Sequence, residues 1–350
     1  FTMVGRNGRW CCMVRCRRLG AVSRRDNALA ALVATLWGLN FLAIDLGMGE
    51  VPPLVFLALR FVAVVLPAVF LVPRPAVSWR VLGAVGLFMS VGQFGFLYVA
   101  MDVGLPPGIA ALVLQAQVVF TIVIAAGVLR ERPTVAQGVG VGLGVLGLAV
   151  VAQGRGGDVP LLGMGLCLMG ALSWGIGNVV SRAAKVPGGL SLTVWSGLVV
   201  PVPVLALALV VDGPSAVVEG LAAVDGAAVL ATLYTAGVAS LLGYGIFNTL
   251  LARNPSAAVV PWVLLAPVVA MTAAWLLLGD LPTVGEAGGG LLLVLGVLLA
   301  LRAPRGRSAS APALGVGRAV AGQGRERGAD APRGEVGAEL VDLVEGAEAR

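Results

Sequence analysis

The sequence predicts an all-α integral membrane protein: ten transmembrane helices arranged as two inverted five-helix repeats, with both termini cytoplasmic. Three observations carry this prediction. The composition is too apolar to cover itself for water, ten apolar runs reach spanning length, and basic residues gather in alternate loops.

The 350 residues are 58% hydrophobic and only 12% charged, with a mean hydropathy of +0.96. A water-soluble domain carries about 25% charged residues, because its surface must hydrogen-bond water. Halving that fraction leaves lipid as the covering medium. The formal charge of +6 does not indicate a nucleic-acid partner. The arginines stand before the first apolar run, in short loops and after the last run, and form no basic face on a globular module.

Apolar runs fall at residues 27–45, 54–72, 79–101, 106–128, 134–152, 161–183, 190–211, 227–251, 256–278 and 283–301. Each is close to the roughly 20 residues needed to cross a hydrocarbon core. None alternates with period two, so barrel strands are excluded. Pro, Gly and Asp punctuate the connections, as at Val51-Pro52-Pro53, Pro73-Arg74-Pro75 and Asp212-Gly213-Pro214.

Charge then orients the bundle. Bases precede span one and recur at Arg74, Arg80, Arg130, Arg132, Arg182, Lys185, Arg253, Arg302, Arg305 and Arg307, while the intervening loops carry Glu50, Asp102, Asp158, Asp212, Glu219, Asp225 and Asp280, with Arg155 the lone base. Basic loops stay on the cytoplasmic side. Both termini then lie inside, which requires an even number of spans. Residues 1–26 form a basic leader with no apolar core of a signal peptide. The segment reads as disordered or as an over-extended start, with Met13 a candidate initiator. Residues 302–350 form a polar cytoplasmic tail that reads as disordered apart from a short helix near 335–344.

Short motifs repeat in order. Trp37-Gly38-Leu39-Asn40 of span one returns as Trp174-Gly175-Ile176-Gly177-Asn178 of span six, and Glu131-Arg132-Pro133-Thr134 before span five returns as Asp280-Leu281-Pro282-Thr283 before span ten. Pro67 has a near-counterpart in Pro203. The first repeat occupies residues 27–152 and the second 161–301. Five spans per repeat force the second copy to enter from the opposite side, an arrangement that places a binding site at the midplane between halves.

Enzyme chemistry finds little support. The chain has no histidine, hence no imidazole base, and it has neither a nucleophile elbow nor a phosphate-binding loop. Cys11, Cys12 and Cys16 lack a fourth zinc ligand, and Cys167 sits inside a span. No metal and no cofactor is expected. An intramembrane enzyme remains the reading from another class.

Polar side chains inside spans are the informative ones, because an unpartnered polar group in lipid costs several kcal/mol. Trp37 and Asn40 share one helical face, and Trp174 and Asn178 another. Gln93, Gln115 and Gln117, with Tyr244 and Asn248, are candidates to hydrogen-bond a small zwitterion. Gln115 and Gln117 point about 200° apart, so one of the two at most is expected to face a cavity. All these groups would serve equally well as packing and interhelical hydrogen bonds. Asp45 closes span one and Arg60 opens span two. They read either as an interfacial ion pair or snorkelling side chains, or as a gate that meets an amino group and a carboxylate. Glu286 in span ten is a candidate proton-linked carboxylate. Gly138-x3-Gly142, Gly140-x3-Gly144 and Gly285-x3-Gly289 serve either a homodimer face or close packing within one chain. Pro67, Pro201, Pro203, Pro261 and Pro267 would loosen helices that move.

Trp37-Gly38-Leu39-Asn40-Phe41, Pro52-Pro53-Leu54 and Leu59-Arg60-Phe61 resemble the opening of the EamA family of the drug/metabolite transporter superfamily. Leu112-Val113-Leu114-Gln115-Ala116-Gln117, Ser173-Trp174-Gly175-Ile176-Gly177-Asn178, Val194-Trp195-Ser196 and Gly243-Tyr244-Gly245-Ile246 are similar to its O-acetylserine/cysteine exporter branch. The resemblance covers about residues 27–301. It implies ten helices in two repeats, an inner-membrane location and export of cysteine-pathway metabolites. Where members commonly carry Lys this chain has Asp45, reversing a charge near the outer mouth. The expected function is alternating-access export of O-acetylserine, cysteine or a related amino-acid metabolite, driven by an ion gradient. Asn40, Gln115, Trp174, Asn178 and Tyr244 are the leading substrate-binding candidates, with Trp37, Gln93 and Asn248 behind them. Export of a drug or another metabolite is the alternative within carriers.

Overall fold

The computed structural model describes residues 23–153, 160–185, 189–254 and 259–302, and every regular element among them is helical. Twelve helices follow in chain order: α1 Arg24–Met48, α2 Pro53–Ala68, α3 Trp79–Asp102, α4 Pro107–Val128, α5 Val135–Gln153, α6 Leu161–Ala183, α7 Leu190–Gly197, α8 Pro201–Val211, α9 Gly213–Ala222, α10 Gly226–Arg253, α11 Val260–Leu278 and α12 Val284–Arg302. Seven are long and apolar enough to cross a membrane, or eight when α7 and α8, bent by 42°, count as one broken span. Two shorter apolar helices, α2 and α12, stand at the second and tenth apolar runs. The three N-terminal cysteines, the leader before residue 23 and the tail beyond residue 302 lie outside the described residues.

Local chemistry sets the helix ends. Ser23 caps α1 by accepting from the Asp26 amide at 3.0 Å, and Asp225 caps α10 by accepting from the Ala228 amide at 2.8 Å. Such caps satisfy amides that have no partner within the helix. α1 therefore begins at Arg24, three residues inside the segment that reads as leader. Gly279 ends α11 with φ of 73°, the left-handed turn that glycine adopts without penalty. Residues 69–72, part of span two by hydropathy, leave the helix; Phe70 and Leu71 are exposed there, ahead of Pro73 and Pro75.

Two corrections concern the seventh run. Pro201 breaks it, since proline has no amide to donate to the preceding turn. The following loop holds α9, which the apolar pattern does not predict. Pro214 sits in its first turn, a favoured position because the missing N–H is not needed there.

Irregularities fall at matching places in the chain. The backbone widens to π-helix over Leu87–Gly92 in α3 and over Tyr234–Leu242 in α10. It tightens to 3₁₀ over Leu114–Ala116 in α4 and over Val260–Leu264 in α11. Reciprocal capping boxes open α5 and α12: Gln137 Oε1 accepts from the Thr134 amide at 2.9 Å, and Glu286 Oε2 accepts from the Thr283 amide at 2.8 Å. Packing partners match too. α1 lies on α11 and α10, as α6 lies on α4 and α3, while α5 pairs with α12, α2 with α8 and α4 with α11.

The α5–α12 seam is built on glycine. A Cβ on Gly147 would stand 2.6 Å from the Gly289 carbonyl oxygen, and one on Gly140 would stand 2.5 Å from that of Gly296. Gly138 and Gly142 on the same helix have open space beside them. Of the two glycine registers in span five, the one at 140 and 144 is used within the chain.

Candidate functional site

A partly open cavity of about 350 Å³ lies among α1, α2, α3, α4, α6, α10 and α11. Most of its wall is apolar, as in small-molecule sites generally. The polar groups on it are Asn40, Arg60, Gln93, Gln115, Gln117, Asn178 and Tyr244, with the indoles of Trp37 and Trp174. No carboxylate lines it among the described residues. Seven of the eight substrate-binding candidates read from the sequence are thus brought to one space; Asn248 is not. Phe247 takes its place, one residue and therefore about 100° away around the helix.

Both Gln115 and Gln117 line the cavity, against the expectation that one at most would. The 3₁₀ turn at Leu114–Ala116 explains this. Three residues per turn instead of 3.6 bring positions two apart into a different angular relation.

The repeated Trp-Gly motifs do not place their asparagines alike. A Cβ on Gly38 would press on Val269 and the Ala266 carbonyl of α11, whereas one on Gly175 would press on Phe120 and Thr121 of α4. Matching the two glycines puts Asn178 in register with Phe41, so Asn40 stands one residue earlier. The consequence is chemical. Asn178 Nδ2 donates to Gln117 Oε1 at 2.9 Å and to Thr121 Oγ1 at 3.2 Å, while Asn40 Oδ1 is buried with no hydrogen-bond partner.

Trp37 is fixed from the side. Its Nε1 donates to the Ala239 carbonyl at 2.9 Å, within the π-helical stretch of α10. Its ring tilts against Tyr244 and Phe247, with centroids 5.0 and 5.2 Å away. Tyr234 adds a second tie between the helices by donating to the Leu36 carbonyl at 3.0 Å.

Arg60 is where the structure departs furthest from the expectation. The sequence suggests a place at the outer end of a hairpin with Asp45. The residue lies instead halfway along α2, 3% exposed. Its Nη1 donates to the Tyr98 hydroxyl and its Nη2 to Ser240 Oγ, both at 3.1 Å. Its guanidinium sits 4.2 Å from the Phe94 ring centroid. Asp45 is half-buried near the end of α1 and outside the cavity wall, close enough to Asp280 for the two carboxylates to repel. The sequence does hold a signal for Arg60: the twelve residues that follow it, 61–72, carry no polar side chain, which is too many for a side chain at a helix entrance.

Comparison with known proteins now decides the family. The EamA-like transporter family matches residues 26–153 and, a second time, residues 161–302. The chain belongs to that family. A "probable amino-acid metabolite efflux pump" of Salmonella typhimurium (strain LT2) is 39% identical over 79% of this chain and 95% of that protein. A protein of the same description from Escherichia coli (strain K12) is 38% identical over 82% and 98%. A solved crystal structure 22% identical in sequence shares the fold, with a TM-score of 0.54 over 82% of this chain and 99% of that one. This EamA-family chain is accordingly a multi-pass membrane protein.

Two expectations can be put to mutants of this family member. Glu286 occupies the third position of the α12 capping box, the place Gln137 fills in α5, so its carboxylate has a structural task. Glu286→Gln is expected to leave both thermal stability and transport within error of wild type, while Glu286→Ala costs about 1 kcal/mol. Loss of transport in the glutamine variant, with its melting temperature unchanged, would restore a proton-coupling role. Separately, Asn178→Ala leaves the Gln117 oxygen without its donor. It is expected to lower stability by about 0.5–1.5 kcal/mol, the net worth of a typical hydrogen bond, because the freed oxygen is part-buried on the cavity wall, as read by melting in detergent.

Proposed function

We propose that the chain is a secondary carrier that exports a small amino-acid metabolite such as O-acetylserine or cysteine by alternating access. It does so as ten spans in two inverted repeats, set in the inner membrane with both termini in the cytoplasm. The observation that carries this reading is the cavity walled by both halves, rich in amides and aromatic rings and sized for one small solute. The matched π-helical, 3₁₀ and capping segments support the repeat. The basic loops support the orientation. The two relatives described as efflux pumps support the direction and class of transport.

The test is counterflow of labelled O-acetylserine and cysteine in proteoliposomes containing the purified protein. Saturable exchange that an unlabelled excess competes away is the expected result. Exchange of neither solute, by protein shown to be folded, would defeat the substrate assignment.

A further inference from the structure

Arg60 carries a charge that nothing in the described protein neutralises. Burying a guanidinium costs several kcal/mol unless an anion and a full set of hydrogen bonds compensate it. Here its partners are two neutral hydroxyls and the face of Phe94. Only two of about five N–H donors are engaged in those bonds, and Nε has no partner.

Its surroundings hold it rather than neutralise it. Ser240 gives its own proton to the Thr235 carbonyl at 2.7 Å, five residues back across the widened turn of α10. That leaves the Ser240 oxygen to accept from Arg60. Tyr98 is completely buried and comes from α3. Three helices therefore position one cation in the wall of a cavity that has no carboxylate among the described residues. In the same wall Asn40 Oδ1, on a side chain 7% exposed, is an acceptor without a donor.

We propose that Arg60 and Asn40 read the two charged ends of an α-amino acid. The solute's carboxylate pairs with the Arg60 guanidinium, and its ammonium donates to the Asn40 carbonyl oxygen beside the Trp37 and Tyr244 rings. This deepens the carrier reading above and rests on it for the identity of the solute. A carboxylate suits the guanidinium because it accepts two parallel N–H bonds. An ammonium suits an amide oxygen flanked by aromatic faces, which attract cations. The solute thereby supplies both the missing counter-charge and the missing donor. Binding ends the cost of an uncompensated buried cation, so it should raise thermal stability.

The experiment measures melting of the detergent-purified full chain with four probes: L-cysteine, its methyl ester, cysteamine and 3-mercaptopropionate. Cysteine should stabilise the wild type most and 3-mercaptopropionate, which keeps only the carboxylate, less. The ester and cysteamine, both lacking a carboxylate, should give no shift. Arg60→Gln should weaken the cysteine response by about 30-fold or more in half-saturating concentration, and Arg60→Lys should restore part of it. Asn40→Leu should remove the advantage of cysteine over 3-mercaptopropionate. The proposal is overturned if the ester or cysteamine stabilises the wild type as well as cysteine does, or if no carboxylate-bearing probe stabilises it. The wild-type series is decisive even where Arg60→Gln does not fold. Carboxylate-selective stabilisation without any flux in proteoliposomes would sink the carrier reading alone. Flux that ignores the carboxylate would sink this proposal alone.

Discussion

Gly147→Leu is expected to prevent recovery of stable, monodisperse protein, while Gly138→Leu on the same helix is expected to behave as wild type. At Gly147 the obstacle is backbone. A Cβ would meet the Gly289 carbonyl oxygen at 2.6 Å and the Leu293 amide nitrogen at 2.7 Å. Neither atom can swing aside as a side chain does, so α5 and α12 must move apart. The contact is mutual, because a Cβ on Gly289 would meet the Gly147 carbonyl oxygen at 2.6 Å. Separation forfeits the whole seam down to Gly140 and Gly296. In a bilayer that loss is hard to offset, since lipid tails supply no hydrophobic drive for helices to associate and close packing has to do it. Overpacking a well-packed site costs about 1–3 kcal/mol, and displacing two helices belongs at the upper end or beyond. Gly138 has nothing within 4 Å of its would-be Cβ, so leucine there only meets its surroundings. Size-exclusion profiles and melting curves of the two variants decide the matter. Equal behaviour would mean that the seam is not required for the fold.

This seam also shows how far the sequence can be read. Apolar run length is a property of single segments, and an apolar helix stands on each of the ten runs. The second ends early, however, Pro201 breaks the seventh, and only seven or eight of the helices reach spanning length. Glycines at four-residue spacing identify α5 and α12 as close-packing helices but cannot choose between registers, because that choice depends on the helix across the seam. The same limit applies inside the cavity. The repeated Trp-Gly-Asn motif suggests two equivalent asparagines, yet the glycines that seat each helix differ from them in spacing, and one amide is tied to Gln117 while the other is left open. Departures from α-geometry are invisible to a reading with a fixed 3.6-residue period. One of them brings both Gln115 and Gln117 to the cavity; another delivers the Ser240 hydroxyl to Arg60. Some of these differences lie where the backbone is irregular, which is where functional sites often lie, whereas Arg60, Asn40 and Asn178 stand on regular helix and depend on what packs across from them.

Trp37→Phe is expected to lower stability, and Trp174→Phe to leave it unchanged, although both indoles line the same cavity. The Trp37 indole has two tasks. It packs on Tyr244 and Phe247, which phenylalanine would partly preserve, and it donates to the Ala239 carbonyl, which phenylalanine cannot do. That acceptor belongs to a π-helical turn, where the widened ladder leaves backbone groups in need of outside partners. Losing the bond should cost about 1 kcal/mol. Trp37→Ala removes the ring contacts as well and should cost more, though less than the about 3–5 kcal/mol of a fully buried tryptophan, since this one faces open space. Gly243→Ala should mimic it from the other side, because its Cβ would stand 2.7 Å from the indole nitrogen. Trp174 makes no hydrogen bond among the described residues, so its N–H is available to a solute. Trp174→Phe should therefore reduce cysteine counterflow with no change in melting temperature, whereas Trp37→Phe should change both. If the two phenylalanine variants melt alike, the Trp37–Ala239 bond does not fasten α1 to α10. If Trp174→Phe transports normally, that indole is wall and not ligand.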